Sequence, residues 1–211
     1  MTERPILFTA PMVRAILDGR KTQTRRVVKP QPIYICPKGP AGLPVLSSQP
    51  NFADQNTIPC PYGMPGDRLW VRETWARDGE DGTLMFRADL GFGGDADDWE
   101  RGRFEGVPRC RWRPSIHMPR WASRILLEVT GVRVERLWEI SPPDAEAEGI
   151  VYEIRAPGMG RGGRPGWGWA ENEYAGSAVH GYELLWNQIH GPGSWDANPW
   201  VWCVEFRRIE Q

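Results

Sequence analysis

The chain has 211 residues, 26 Lys and Arg against 27 Asp and Glu, and a formal net charge of −1, so bulk charge does not make it a binder of polyanions. That length suits one sizeable domain that buries a core without disulfide staples, and the 40% hydrophobic content is ordinary for a globular chain. The 12 Trp, 24 Gly and 20 Pro are not ordinary, and they point to short strands, turns and long ordered loops rather than a helical bundle.

In chain order, Pro5–Thr9 reads as a short strand. Met12–Asp18 reads as a compact helix, with Met12, Ala15 and Ile16 at helical spacing and Gly19 as the residue that stops it. Gln23–Val28 is β-friendly. Residues 29–65 are rich in Pro and Gly and read as a long loop excursion within the domain. A turn at Gly66-Asp67 leads into the strand Arg68-Leu69-Trp70-Val71, and Thr83–Ala88 is a further strand candidate. Gly91–Gly106 reads as a polar surface loop. Ser123–Glu135 carries the strongest strand signal, alternating Ile125, Leu127 and Val129, with Gly131 as a break or bulge. Ser141 caps a short helix that starts at Pro142 and runs through Glu148, with Asp144 as the reciprocal capping acid. Residues 156–169 form a second Gly-rich excursion. Gly181–His190 is amphipathic, with Tyr182, Leu185, Trp186 and Ile189 on one face. Trp200–Ile209 closes the chain as a strand. Strands scattered among a few short helices, without βαβ regularity, indicate an α+β or barrel-like fold.

The near-zero charge hides local bias. Residues 1–30 and 101–124 are basic, whereas residues 78–100 are acidic, which weighs against a long track for a polyanion. The cysteines, Cys36, Cys60, Cys110 and Cys203, form no C-x-x-C pair, and His117, His180 and His190 lie far from them, so a zinc site would need long-range assembly. No apolar stretch approaches the length of a membrane span and nothing resembles a signal peptide. A cytoplasmic protein with reduced thiols is therefore expected.

The segment richest in chemistry is Ile16–Val28. A helix ends at Gly19 and a strand begins near Gln23, and the turn between them holds Arg20, Lys21, Arg25 and Arg26 beside the hydroxyls of Thr22 and Thr24. On an extended strand, Thr24 and Arg26 share a face and Arg25 points away. Cations beside a hydroxyl suit a ligand rich in phosphate or carbonyl oxygens, although a plain surface turn has the same composition. Trp70, Trp202 and Trp186 sit on apolar faces and read as core. Trp75, Trp121 and Trp195 lie near turns, where each could stack a base or pack under a loop.

The spacing Gly19-x-Lys21-x-x-Thr24-x-Arg26 resembles the signature of ASCH domains, a family of the PUA-like superfamily. Gly66-Asp67-Arg68-Leu69-Trp70-Val71 is similar to the family's G-D strand, Ala145-Glu146-Ala147-Glu148-Gly149 to its A-x-x-E-G helix end, and Trp200–Phe206 to its last strand. Met118–Arg124 and Gly193–Trp200 resemble segments of the larger, Trp-rich ASCH proteins of bacteriophages and prophages.

The resemblance implies an α+β fold: a single PUA-like domain over residues 1–211, built as a small β-barrel with flanking short helices. It carries insertions near 29–65, 91–115 and 156–178. The ligand implied is a nucleoside, a modified base or RNA, with no membrane, metal or organic cofactor. Some small bacterial members remove acyl groups from N4-acylcytidine, which implies catalytic roles for Lys21, Thr24 and Glu148. Arg20, Arg25, Arg26, Glu73, Trp75, Trp121 and Arg124 are candidates for binding the substrate. Chemically, a threonine hydroxyl attacks once a neighbour takes its proton, a lysine does this when burial and nearby cations lower its pKa, and a carboxylate orients the lysine or protonates the leaving amine. Glu73 competes with Glu148 for the last role. A non-catalytic reader of RNA or a modified base, and a single-strand ribonuclease in which Lys21 stabilises a pentavalent phosphate, are the alternatives.

Overall fold

The computed structural model describes residues 1–36, 45–47, 58–79, 81–90, 111–153, 166–168 and 175–210. The loop expected at Gly91–Gly106, Cys110, Trp169, about half of the expected 29–65 insertion and most of the expected insertions at 91–115 and 156–178 therefore lie outside the described residues.

The fold is α+β. Its centre is a five-stranded sheet in which β1 (Glu3–Leu7) pairs in parallel with β5 (Arg68–Arg72), β5 antiparallel with β8 (Leu126–Arg136), β8 with β11 (Trp200–Ile209), and β11 with β2 (Gln23–Val27). The three strands expected around Arg68, Ile125 and Trp200 thus lie side by side. Among the described residues no strand pairing joins β1 to β2, so hydrogen bonds do not close the sheet into a barrel. Side chains cross that gap instead. Arg26 Nη2 donates to the Leu7 carbonyl at 2.6 Å, its guanidinium lies 5.3 Å from the Phe8 ring centre, and Phe8 meets Phe206 at 6.1 Å.

Period-two patterning explains how the sheet buries two faces at one end. Trp202, Val204 and Phe206 of β11 face a core shared with Ile6, Leu69, Val71, Leu127 and Val129, covered by Val13 and Ile16 of α1 (Ala10–Leu17). The alternate β11 residues Val201 and Cys203 face a second core. There, Ala145 of α2 (Pro142–Ala147) and Tyr182, Leu185 and Trp186 of α3 (Ala178–His190) cover them. A strand covered on both faces reads as the continuous apolar run Trp200–Val204. The register slips between Glu205 and Phe206, where Gly131 and Val129 are the partners and Thr130 is the extra residue. The irregularity anticipated at Gly131 is thus a bulge next to it.

Four differences from the sequence reading have local causes. The excursion over 29–65 is not strandless: β3 (Tyr34–Cys36) pairs with β4 (Val45–Ser47), and Leu46 is fully buried in the first core. Three-residue strands are too short to show a period. Leu84–Phe86 (β7) pairs with Trp75–Arg77 (β6), but Arg87–Asp89 turns into a 3-10 helix, so the strand expected through Ala88 stops early. Trp70 is only half-buried, because the pleat gives the first core to Leu69 and Val71. Finally, Val151–Glu153 (β9) and Gly166–Gly168 (β10) form a small ribbon that carries part of the second Gly-rich excursion. Among the described residues no helix is long and apolar enough to cross a membrane.

Leu127 sits at the middle of the first core with no exposure. Leu127→Ala is expected to cost about 2–5 kcal/mol, the range for a large-to-small change in a packed core. The measurement is the urea midpoint at unchanged m-value.

Candidate active site

Two helix ends build the site. Helix α1 stops in a Schellman turn, in which Gly19, at φ +73°, donates to the Ile16 carbonyl and Arg20 donates to that of Ala15. Helix α2 stops the same way, with Gly149 at φ +102° bonding to Glu146 and Ile150 bonding to Ala145. The two turns face each other. Thr22 N–H donates to the Ala147 carbonyl at 2.9 Å, and a Cβ on Gly149 would stand 3.3 Å from that of Ala15 and 3.6 Å from that of Lys21. Glycine at 149 therefore supplies both the left-handed backbone and the room for Lys21 to pass.

Lys21 reaches through that gap. Its Nζ donates to Glu148 Oε2 at 2.7 Å and to the Glu148 carbonyl at 2.8 Å, so one ammonium serves both a carboxylate and the orphan carbonyl at the end of α2. The Lys21 side chain has no exposure and that of Glu148 only 3%. Burial lowers the Lys21 pKa from the ordinary lysine value. The Glu148 charge opposes the shift, while Arg26 and Arg25 reinforce it.

Arg25 lies on the face of β2 away from Thr24 and is as buried as Lys21. Its Nη2 donates to Glu135 at 3.0 Å and lies 3.3 Å from Asp144, while its Nη1 stands 3.5 Å from Glu148 Oε1. Arg133 in turn pairs with Glu135, Asp144 and Glu205. A charge chain thus runs from Lys21 out to a half-exposed acid. Burial favours a neutral Asp144, but its hydrogen bond from Ser141 and the charges of Arg25 and Arg133 win, pulling its pKa down to about 2.

Beside this pair is a narrow cleft of about 20 Å³, room for a water-sized guest. It is lined by Thr24, Arg25, Arg26 and Glu148 on one side, by Met12 of α1, and by Tyr182, Leu185, Trp186, Ile189 and His190 of α3. Thr24 is buried. Ile189 and His190 form an exposed rim. Trp186 and His190 stack at 4.1 Å, and burial, with Arg26 and Lys29 nearby, lowers the His190 pKa. Burial raises the Tyr182 phenol well above its ordinary value, helped by the Glu148 charge.

The structure therefore pairs Lys21 with Glu148, and Glu148 lines the cleft with Thr24, Arg25 and Arg26 while Lys21 lies behind it. It does not bring the other candidates to the cleft. Arg20 is exposed and paired with Asp18 at 2.8 Å. Glu73 is held by Arg124 at 2.9 Å, and Arg124 also binds Asp89 and covers the Phe86 ring. Burial raises the Glu73 pKa against the pull of Arg124. Trp75 is 1% exposed within a third apolar cluster of Phe86, Met118 and Ala122, with no open face on which to stack a base. Trp121 is 59% exposed, edge-on to Trp75 at 5.8 Å and capped by Arg77. Nor do the arginines of the basic block reach the cleft where described: Arg113 lies over Trp75 and Arg120 pairs with Glu3. Met12, Tyr182, Trp186 and His190 were missed as site residues. Tyr182 and Trp186 had been visible only as an apolar helical stripe. Among the described residues no group of three His, Cys, Asp or Glu side chains is placed to hold a metal ion.

Glu148→Gln leaves the Lys21 ammonium without its counter-charge and is expected to destabilise by about 3–5 kcal/mol, with much of the loss recovered in Lys21→Met/Glu148→Gln. A double-mutant cycle in urea measures both. The Asp144 contribution is present above its ordinary pKa of 3.8 and lost as pH falls towards about 2. Asp144→Asn should therefore flatten the acid limb of the stability curve in that window, read from thermal melts against pH. No protein-family model, curated protein or solved structure matches this chain.

Proposed function

We propose that the chain is an ASCH-type amidohydrolase that removes an acyl group from N4-acylated cytidine or a related modified nucleobase. The observation that carries this reading is the fully buried Lys21–Glu148 pair, with Thr24 lining the same cleft as Glu148. The finer fold is part of the proposal. The five-stranded sheet is the wall of a PUA-like barrel whose seam, between β1 and β2, is bridged by Arg26 and the Phe8–Phe206 contact.

In this mechanism the Thr24 hydroxyl attacks the acyl carbon while Lys21, its proton affinity lowered by burial, takes the hydroxyl proton. The tetrahedral centre collapses as that proton passes to the exocyclic nitrogen, releasing the free amino base and leaving an acyl ester on Thr24. Water then attacks the ester, with Lys21 again as the base, to release the carboxylic acid. Glu148 holds Lys21 in place through Oε2, and its Oε1, with Arg25 Nη1 at 3.5 Å but no hydrogen bond, receives an N–H of the leaving group. Arg26 and Arg25 keep the positive potential that disfavours a protonated lysine. A base is larger than the cleft described, so binding requires the rim at Ile189 and His190 to move aside.

The test is turnover of N4-acetylcytidine. Thr24→Ala and Lys21→Met are each expected to lower kcat by at least about 10²-fold in folded protein. Because the neutral amine is the base, kcat/KM should rise with pH and level off at a midpoint below the 10.5 of an ordinary lysine. Undiminished turnover in Lys21→Met would refute the mechanism. Binding of RNA or modified nucleosides without turnover would favour a reader, and cleavage of single-stranded RNA a ribonuclease.

A further inference from the structure

The cleft holds only about 20 Å³ and is rimmed by the end of α3, so whatever fastens that end controls what enters. The last turn of α3 starts from a fixed point. Asn187 Oδ1 accepts hydrogen bonds from Ser194 Oγ at 3.2 Å and from the Trp195 N–H at 3.0 Å, which tie it to the turn after the helix. Beyond that point Gln188, Ile189 and His190 are exposed, and Gly191, at φ +100°, ends the helix with a bond to the Asn187 carbonyl. A ring contact fastens this exposed turn to the core. The His190 imidazole lies against the buried Trp186 indole, with ring centres 4.1 Å apart.

The surroundings suit a neutral imidazole. Arg26, which lines the cleft, and Lys29, just past the end of β2, are the charges that act on the ring. Glu148 shares the cleft but is already taken, by Lys21 at 2.7 Å and by Arg25 Nη1 at 3.5 Å. On α3 itself, Glu183 lies two turns back, and the Tyr182 phenol stays neutral because burial raises its pKa. The carbonyls that end α3 pull the other way and favour a cation. Burial and the two cations prevail, and the His190 pKa falls below its ordinary 6.5. Release of the turn returns the ring to water and to its ordinary value, so by linkage a proton on His190 favours the released state. The closed rim keeps its full advantage above pH 6.5 and loses it as pH falls from there through the lowered pKa.

We propose that His190 is a proton-operated latch on the cleft: its neutral ring, stacked on Trp186, holds the rim shut, and its protonation beside Arg26 and Lys29 releases the last turn of α3. The latch acts on access to the cleft, whatever reaction follows.

The test needs no substrate, so its outcome is independent of hydrolysis. The His190 ring is titrated by NMR, and exchange of the Trp186 indole N–H with deuterated water is followed over the same pH range. That N–H is sealed from water and bonded to no acceptor, so its exchange reports opening. Trp75 carries an indole N–H sealed in the same way but away from the cleft, and serves as the control. His190 is expected to titrate below 6.5. His190→Phe keeps a ring on Trp186 and takes up no proton. Relative to that variant at equal pH, wild-type Trp186 should exchange about tenfold faster at low pH for each unit between the measured pKa and the ordinary value. Lys29→Gln removes one of the two cations, so it should raise the His190 pKa and shrink the acceleration together.

Titration of His190 at or above 6.5 overturns the proposal, and this reading on the wild type stands even where His190→Phe does not fold. The same pH dependence of Trp186 exchange in wild type and His190→Phe overturns it too. So does equal acceleration at Trp75, which would assign the exchange to unfolding of the whole chain.

Discussion

An ammonium with no contact with water is tolerable only where a counter-charge is fixed beside it. Lys21 meets that condition through Glu148, and much of the surrounding architecture serves their meeting. Two helices end in left-handed glycines so that their last turns can face each other. Gly149 has no side chain where Lys21 passes. The backbone bond from Thr22 to Ala147 fixes the distance between the two turns. Arg25 adds a second buried cation that Glu148 alone cannot balance, and Glu135 and Asp144 close around it. Arg133 then offsets those acids in turn, so the surplus charge is passed outward until Glu205 meets solvent.

The same constraint separates the two carboxylates that the sequence could not rank. Both Glu73 and Glu148 are buried beside a cation, and both follow recognisable local patterns. Glu73 leaves β5 towards Arg124 and Asp89. Glu148 ends α2 opposite Lys21. The choice depends on which end of which element lies across from the Gly19 turn, a matter of strand order and helix docking that local spacing does not encode.

What was legible followed from short-range rules. The Schellman stop at Gly19, the capping box of Ser141 and Asp144, and the alternation of Leu127 with Val129 are each determined by residues within one turn or one pleat. So was the divergence of Thr24 and Arg25 to opposite faces. What was not legible depended on long-range register. Arg25 reads in sequence as one more cation for a ligand, yet Glu135 and Asp144 hold it only because β2 and β8 both flank β11. Tyr182 and Trp186 read as an apolar stripe because they do cover Val201 and Cys203 of β11; that the same helix also meets Thr24, Arg25 and Arg26 of β2 depends on strand order. Three-residue strands such as Tyr34–Cys36 carry no period at all.

The facing helix ends also say something about how the chain comes to life. Lys21 and Glu148 are 127 residues apart, and the backbone bond that joins their turns closes a loop containing most of the sheet. Contacts so distant in sequence form after local ones, once the entropy of the long loop has been overcome by the strands between them. In a nascent or partly folded chain, Lys21 is therefore an ordinary hydrated, fully protonated lysine at the end of a short helix. Only the docking of α2 strips its water and brings its carboxylate. The lowered proton affinity of this lysine is thus a product of the completed fold, and a chain that lacks the second helix turn carries the same residues without it.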